Sequence, residues 1–352
     1  MKPSRSTAVV MLFCWSFALA VLIAPGAVCA ATTWQATVGA QSTDEGIQAL
    51  AFLPNGLWVH VGDNITWAFP TPEIHTVTFL KQDTNPEQIR PPRPGVGPQG
   101  GCPHAPGTPN TTPSGSAFDG STCLTSPELV DGQTYTVMFP TAGNFKLVCL
   151  VHANMTGAVH VLRPSEPLPF DQAFYDNQAQ KRTAELLSDG AGLEGRATAT
   201  AQQGSGDAVS VGIGEIVATG DGSDSVFVAR FRQDTIVVRI GDTVEWTNLD
   251  PAVAHTVTFG FPNGDPNPPQ PPAPPGVVTV DTDGALHAAV MSPTDNVHSG
   301  FLQAAFQDRT GLAQSPLGVK RFRVTFTTPG TFNYRCILHD DLGMVGRVIV
   351  HR

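Results

Sequence analysis

The sequence predicts an all-β protein built from two tandem β-sandwich domains joined by a short helical linker. Three observations carry that expectation. Segments rich in β-branched and aromatic residues, bounded by Gly, Pro, Asn and Asp, recur along most of the 352 residues. The second half of the chain repeats the first at a spacing of roughly 180 residues, too long for a solenoid repeat and right for tandem domains. Only one segment has helical character, and it falls between the halves. The expected organisation is a signal peptide at 1–30, a first domain at 31–163, a helix and linker at 164–207, and a second domain at 208–352.

The N-terminus reads as a secretory signal. Lys2 and Arg5 give a basic start, Ala8 opens an apolar run that Pro25 and Gly26 break, and small residues around Cys29 offer a cleavage site after Ala30. No later segment is apolar enough to span a bilayer, so the mature chain is expected to be exported, periplasmic or extracellular, without a transmembrane segment. Removing Lys2 and Arg5 from the 20 basic residues leaves 18 against 30 acidic ones, a net charge of −12. That balance argues against nucleic-acid binding, which needs a positive surface to replace counterions.

Of the 6 cysteines, Cys14 and Cys29 leave with the signal. Cys102 and Cys123 sit 21 positions apart in one loop rich in Pro, Gly, Ser and Thr. A disulfide is expected there, because a loop with little core of its own gains from a restricted unfolded ensemble. Cys149 and Cys336 belong to the motifs below.

The predicted strands include 57–67, 135–139, 227–246, 322–326 and 345–350. The halves align through Phe52 to Asp63 against Phe231 to Asp242, and again where Trp67 matches Trp246. The helix is expected at 170–187, with Asp171 near its start and Gly190 past its end, followed by a small-residue linker at 191–207. Two long irregular loops, near 81–128 and 261–319, have Pro-rich centres that cannot enter a sheet interior.

Each half carries the same four metal-binding residue types in the same order. His75 opens a His-Thr-Val-Thr-Phe string, and Cys149, His152 and Met155 follow in one short turn. His255 opens an identical string, and Cys336, His339 and Met344 follow. Alternation along a strand puts Phe145, Leu147 and Cys149 on one face, and likewise Phe332, Tyr334 and Cys336. His75, Val77 and Phe79 share a face as well, as do His255, Val257 and Phe259. One His thus arrives from a different strand, and the turn after each Cys returns the second His and the Met to the same point. A thiolate, two imidazoles and a weak thioether suit copper in both oxidation states. Zinc also accepts Cys and His, but the Met and the export signal favour copper.

These motifs resemble the small cupredoxins, plastocyanin and amicyanin. The resemblance rests on the Gly-Asp-x-[Val/Ile]-x-Trp strand at Gly62 and Gly241, the His-Thr-Val-Thr-Phe string, and the Cys-x2-His turn closed by Met. It implies Greek-key sandwiches, with one copper on His75, Cys149, His152 and Met155 and another on His255, Cys336, His339 and Met344. The two-residue spacing from His152 to Met155 is amicyanin-like, and the four-residue spacing from His339 to Met344 is plastocyanin-like. It also implies one-electron transfer between redox partners, with the second His of each turn as a surface port. Asp340 and Asp341 beside His339 are then candidate docking residues for a basic partner.

Two other functions fit less well. A copper carrier or scavenger would use the ligands for affinity alone. A multicopper oxidase or nitrite-reductase-like enzyme needs His-x-His pairs or a His beside the ligand Cys, and the chain has neither. The chain is therefore expected not to be an enzyme. The other histidines, His60, His104, His160, His287, His298 and His351, are scattered; His287 and His298 are the two that could add a ligand or a docking contact.

Overall fold

A computed structural model of the chain describes residues 31–82, 111–152, 154–203, 208–260, 278–290, 292–302 and 320–352. The signal segment, Cys102, His104 and both Pro-rich loop centres lie outside the described residues.

The first half contains β1 (Thr33–Gln41), β2 (Ile47–Leu53), β3 (Gly56–His60), β4 (Asn64–Phe69), β5 (Thr78–Phe79), β6 (Ser116–Ala117), β7 (Leu124–Thr125), β8 (Gln133–Met138), β9 (Gly143–Val148) and β10 (Thr156–Leu162). Helix α1 (Gln172–Gln203) follows. The second half contains β11 (Ala208–Ala218), β12 (Ser223–Arg232), β13 (Thr235–Arg239), β14 (Thr243–Leu249), β15 (Thr258–Phe259), β16 (Val278–Val280), β17 (Leu286–Val290), β18 (Val297–His298), β19 (Arg321–Phe326), β20 (Gly330–Arg335) and β21 (Val345–His351).

Each half is a sandwich of two sheets with the same wiring. In the first, β2-β1-β4-β8-β6 faces β3-β10-β9-β5-β7. In the second, β12-β11-β14-β19-β17-β16 faces β13-β21-β20-β15-β18. Strand alternation builds the cores: Ile65, Trp67 and Phe69 point inward from β4, and Val244 and Trp246 do so from β14. The predicted strand at 57–67 is broken by a turn at Gly62, whose φ of 94° suits glycine. Gly241 makes the same turn in the second half, with φ 93°.

The halves are not beads on a string. β2 pairs antiparallel with β12, joining Ile47 to Val228, Gln48 to Phe227 and Ala49 to Val226. In the internal repeat, Ile47 corresponds to Val226, Gln48 to Phe227 and Ala49 to Val228. The pairing is therefore reciprocal, as across a two-fold axis through the Gln48–Phe227 pair. This continuous sheet makes 31–352 one compact unit.

The helix departs from expectation. It is not a short linker: it runs 32 residues, through most of the predicted linker at 191–207. Asp171 caps it as expected, its Oδ1 accepting from Phe174 N at 2.9 Å. Gly190 does not end it. The glycine lies where the helix crosses the joined sheet, and a Cβ there would stand 2.3 Å from Ile47 Cγ2 and 3.0 Å from Val226 Cγ2. Ile47 and Val226 are the equivalent residues of the two halves, so the helix packs over their junction. Leu186 and Leu193 join them in a small apolar core with Ala49, Ala51 and Val228. Burial of that seam, at about 25 cal/mol per Å² of apolar surface, stabilises the helix more than its own Gly-containing sequence does.

Candidate metal centres

The predicted histidines and cysteines come together in each half. His75 precedes β5, and Cys149 follows β9, its partner strand. Cys149 Sγ lies 4.0 Å from His75 Nδ1 and 3.7 Å from His152 Nδ1, and the two Nδ1 atoms are 3.2 Å apart. In the second half the corresponding distances are 3.9, 3.4 and 3.1 Å among Cys336, His255 and His339. The point equidistant from the three atoms lies about 2.1 Å from each in the first group and about 2.0 Å in the second, the length of a metal–imidazole bond. Met155 and Met344 are fully buried in the same cores as the cysteines. Among the described residues, these two His-Cys-His triads are the groups able to hold a metal ion.

The backbone fixes the turns. Cys149 N donates to Met155 O at 3.0 Å, and Met155 N to His152 O at 3.1 Å. Cys336 N donates to Met344 O and Met344 N to His339 O, at 3.1 and 3.0 Å. Each sulfur faces a backbone N–H from the opposing strand, Thr76 at 3.4 Å and Thr256 at 3.3 Å. The same threonines' hydroxyls accept from Leu150 N and Ile337 N at 2.8 and 2.9 Å, which locks cysteine turn and histidine strand together. Hydrogen bonds at the sulfur are among the levers that tune a copper–thiolate potential.

Two carboxylates that the motifs do not mark complete the sites. Asp250 Oδ2 lies 3.2 Å from His255 Nε2, and both side chains are inaccessible. Glu73 Oε1 lies 3.2 Å from His152 Nε2. A carboxylate on Nε2 holds the proton there and leaves Nδ1 free to ligate. Burial opposes charge on Glu73, but the His152 hydrogen bond and the charges of His339, His152 and His75 outweigh it and hold the carboxyl down at about 2. Burial also opposes ionisation of both thiols. His152 and His75 nevertheless hold Cys149 well below the ordinary thiol range, and His339 and His255 do the same for Cys336. Burial likewise works against charge on the imidazoles, yet Cys149 and Glu73 raise His152 to about 10, while Asp250 and Cys336 raise His255 to about 9. Each triad thus favours a thiolate beside an imidazole pushed toward its charged form, and a metal arriving at these donors competes with protons for them.

Glu73 and Asp250 carry no shared sequence signal. Glu73 lies two residues before His75 and Asp250 five before His255, so aligning the repeats does not pair them. The expected surface ports are also buried: His152 and His339 are 4% and 3% exposed. The cause is the β2–β12 junction, which turns the metal ends of the two sandwiches toward each other.

The remaining predicted residues lie apart from the triads. His287 bonds Asp281 and Thr325 at 3.2 and 2.7 Å. His298 is buried beside β15, its Nδ1 accepting from Gly300 N at 3.1 Å. His60 bonds Glu166 O, and His160 stacks on Trp58. Asp340 is held by Arg335 at 2.8 Å, and Asp341 is exposed. With Cys102 outside the described residues, its pairing with Cys123 is not described.

Residues 218–351 match the family model "Copper binding proteins, plastocyanin/azurin family". That match over the second half, with a His-Cys-His triad in both halves, supports a cupredoxin-like protein. Similar solved structures include an oxidised amicyanin variant, at 18% identity and TM-score 0.22, covering 37% of this chain and 81% of that one. Another is an amicyanin variant with Cu(I), at 18% identity and TM-score 0.23, covering 37% and 82%. A third is oxidised plastocyanin from Dryopteris crassirhizoma, at 22% identity and TM-score 0.20, covering 41% and 99%. No curated protein matches the chain in sequence. The family match and the two triads support copper as the cofactor of this cupredoxin-like chain, one ion per sandwich. No helix among the described residues is long and apolar enough to cross a membrane.

Proposed function

We propose that this chain is an exported electron carrier with a mononuclear copper site in each of two domains, 31–163 and 208–352. His75, Cys149 and His152, with Met155, would hold one copper, and His255, Cys336 and His339, with Met344, the other. Bound copper supplies a one-electron couple between Cu(I) and Cu(II). The protein holds both thiolates in apolar cores, aims both Nδ1 atoms at them and excludes water from the donors. Rigid ligands of this kind suit a couple whose geometry changes little, which is what rapid electron transfer requires. The observation that carries the reading is the pair of buried donor triangles whose centres lie one metal–ligand bond from each atom. Their burial also favours electron transfer over a carrier role, since a carrier must hand its ion through accessible ligands. A Cys102–Cys123 disulfide and secretion directed by residues 1–30 belong to the same proposal, as do redox-protein donors and acceptors.

A copper titration of the mature protein, followed by visible absorption and EPR, tests it. Two equivalents with an intense thiolate-to-copper band that bleaches on reduction and returns on oxidation are expected. Tight copper binding without that band would overturn the electron-transfer reading in favour of a carrier.

A further inference from the structure

The histidines that would face a partner in a single sandwich face each other here. His152 Nε2 is 3.2 Å from Glu73 Oε1, and His339 Nε2 is 4.0 Å from the other oxygen of the same carboxylate, Oε2. The first contact is hydrogen-bonded and the second is within ion-pair range. Glu73 is 9% exposed and the two rings 4% and 3%, so no solvent layer separates them. Phe227, at the centre of the reciprocal β2–β12 pairing, packs its ring 5.2 Å from that of His339. Both metal-site turns are tied to β12. Ser223 Oγ donates to Asn154 O at 2.6 Å in the first turn, and Arg230 donates to Leu342 O in the second. One strand thus holds both histidines on opposite sides of one carboxylate.

We propose that Glu73 joins the two copper sites into a single two-electron store, with electron exchange between them running along His152, Glu73 and His339. This rests on the reading of both triads as copper sites. In the exchange one electron leaves the reduced site and arrives at the oxidised one, with no proton moved and no bond made or broken. Glu73 acts as a positioning and coupling residue: its two oxygens face one distal nitrogen from each half, by a hydrogen bond to His152 and a 4.0 Å contact with His339, and a chain of close contacts conducts better than an open gap of equal length. A partner needs to reach only one sandwich for both sites to fill. Glutamine tests the sharing, because its amide offers one acceptor oxygen where the carboxylate offers two.

The experiment compares the wild-type chain with Glu73→Gln and Glu73→Ala. Histidine 15N NMR of the three metal-free chains is expected to show the His339 Nε2 signal moved in both variants. The His152 signal should be largely kept in Glu73→Gln and lost from its wild-type position in Glu73→Ala, with His255 unchanged. In the two-copper chains, pulse reduction by less than one electron should give an intersite relaxation independent of protein concentration, at least tenfold slower in Glu73→Ala. A His339 signal indifferent to both substitutions would overturn the proposal. So would unchanged relaxation in Glu73→Ala with both blue bands intact. Failure of the wild-type chain to bind two coppers would instead remove the underlying reading.

Discussion

The two metal centres share a ligand frame and differ in what holds their histidines. In the second, His255 is clamped by Asp250, itself fixed by Ala252 N at 2.7 Å and Val253 N at 3.0 Å. In the first, His75 Nε2 is buried with no hydrogen-bond partner among the described residues, and the nearby Thr71 hydroxyl is the same. The first site's carboxylate sits on the other histidine, as Glu73 on His152. One centre is thus anchored within its own sandwich and the other at the junction between sandwiches. Identical ligands need not give identical sites, because the partner on the distal imidazole nitrogen sets ligand orientation and basicity.

The largest expected effect checks that the sites are separate. Cys336→Ser should lower copper binding from two equivalents to one and remove about half the thiolate-to-copper absorbance, since a hydroxyl is no substitute for a soft thiolate. Cys149→Ser should do the same from the other side. Stoichiometry and EPR of each variant would read this. Loss of both coppers from either substitution would mean that the centres are not independent in binding.

The glycines behind the histidines sharpen the comparison. Gly39 and Gly212 sit at equivalent bulges, with φ of 76° and 63°. A Cβ at Gly39 would lie 2.7 Å from His75 Nε2, and one at Gly212 would lie 2.4 Å from His255 Nε2. Left-handed backbone costs a residue other than glycine about 1–2 kcal/mol, and overpacking adds roughly 1–3 kcal/mol. Either alanine should therefore destabilise the metal-free chain by about 2–5 kcal/mol. His255, held by Asp250, has less room to retreat than His75, so Gly212→Ala should lose more stability and more copper affinity than Gly39→Ala. Denaturant midpoints and competitive copper titrations would show it, and equal losses would mean that Asp250 does not restrain the ring.

Asp250→Asn removes the clamp's charge while keeping an oxygen for the Ala252 and Val253 amides. The lost charge-assisted hydrogen bond, about 1.5–3 kcal/mol, favours Cu(II) over Cu(I). The second site's potential should therefore rise, by roughly 60–130 mV for a one-electron couple. Thr71→Val, beside Nε2 of His75, removes no hydrogen bond to a described residue and should leave the first site's potential nearly unchanged. Voltammetry of both variants tests the pair. A fall in potential, or an equal shift from Thr71→Val, would refute the assignment.

How much of this was legible in the sequence follows from the range of each signal. The two triads were legible because their ligands recur in one compact turn, and because alternation puts Cys149 in line with Phe145 and Leu147. The sandwiches were legible from the strand pattern around Trp67 and Trp246. The helix end was misread at Gly190, because a glycine that permits close approach to Ile47 looks like one that ends a helix. The burial of His152 and His339 was hidden, since it depends on β2 meeting β12 from the far half of the chain. Glu73 and Asp250 were hidden too: before folding, nothing separates a carboxylate aimed at an imidazole from one in solvent.

The smallest expected effect concerns the acids beside His339. Asp340 and Asp341 differ in a way their adjacency conceals. Asp340 accepts from Arg335, which is 5% exposed, so Asp340→Asn leaves a buried guanidinium short of its counter-charge. It should cost about 1–3 kcal/mol of stability whatever the ionic strength. Asp341 is exposed, and its Oδ1 accepts from the adjacent Leu342 N, at 3.0 Å. It is the cleaner probe of docking. Asp341→Asn should slow reduction by a cationic reagent less than about tenfold at low salt, and the difference should vanish as screening shortens the Debye length to about 8 Å near 0.15 M. An anionic reagent should show the opposite sign. With His339 only 3% exposed, a rate indifferent to charge and salt would mean that electrons enter elsewhere, and the first sandwich would become the side to probe.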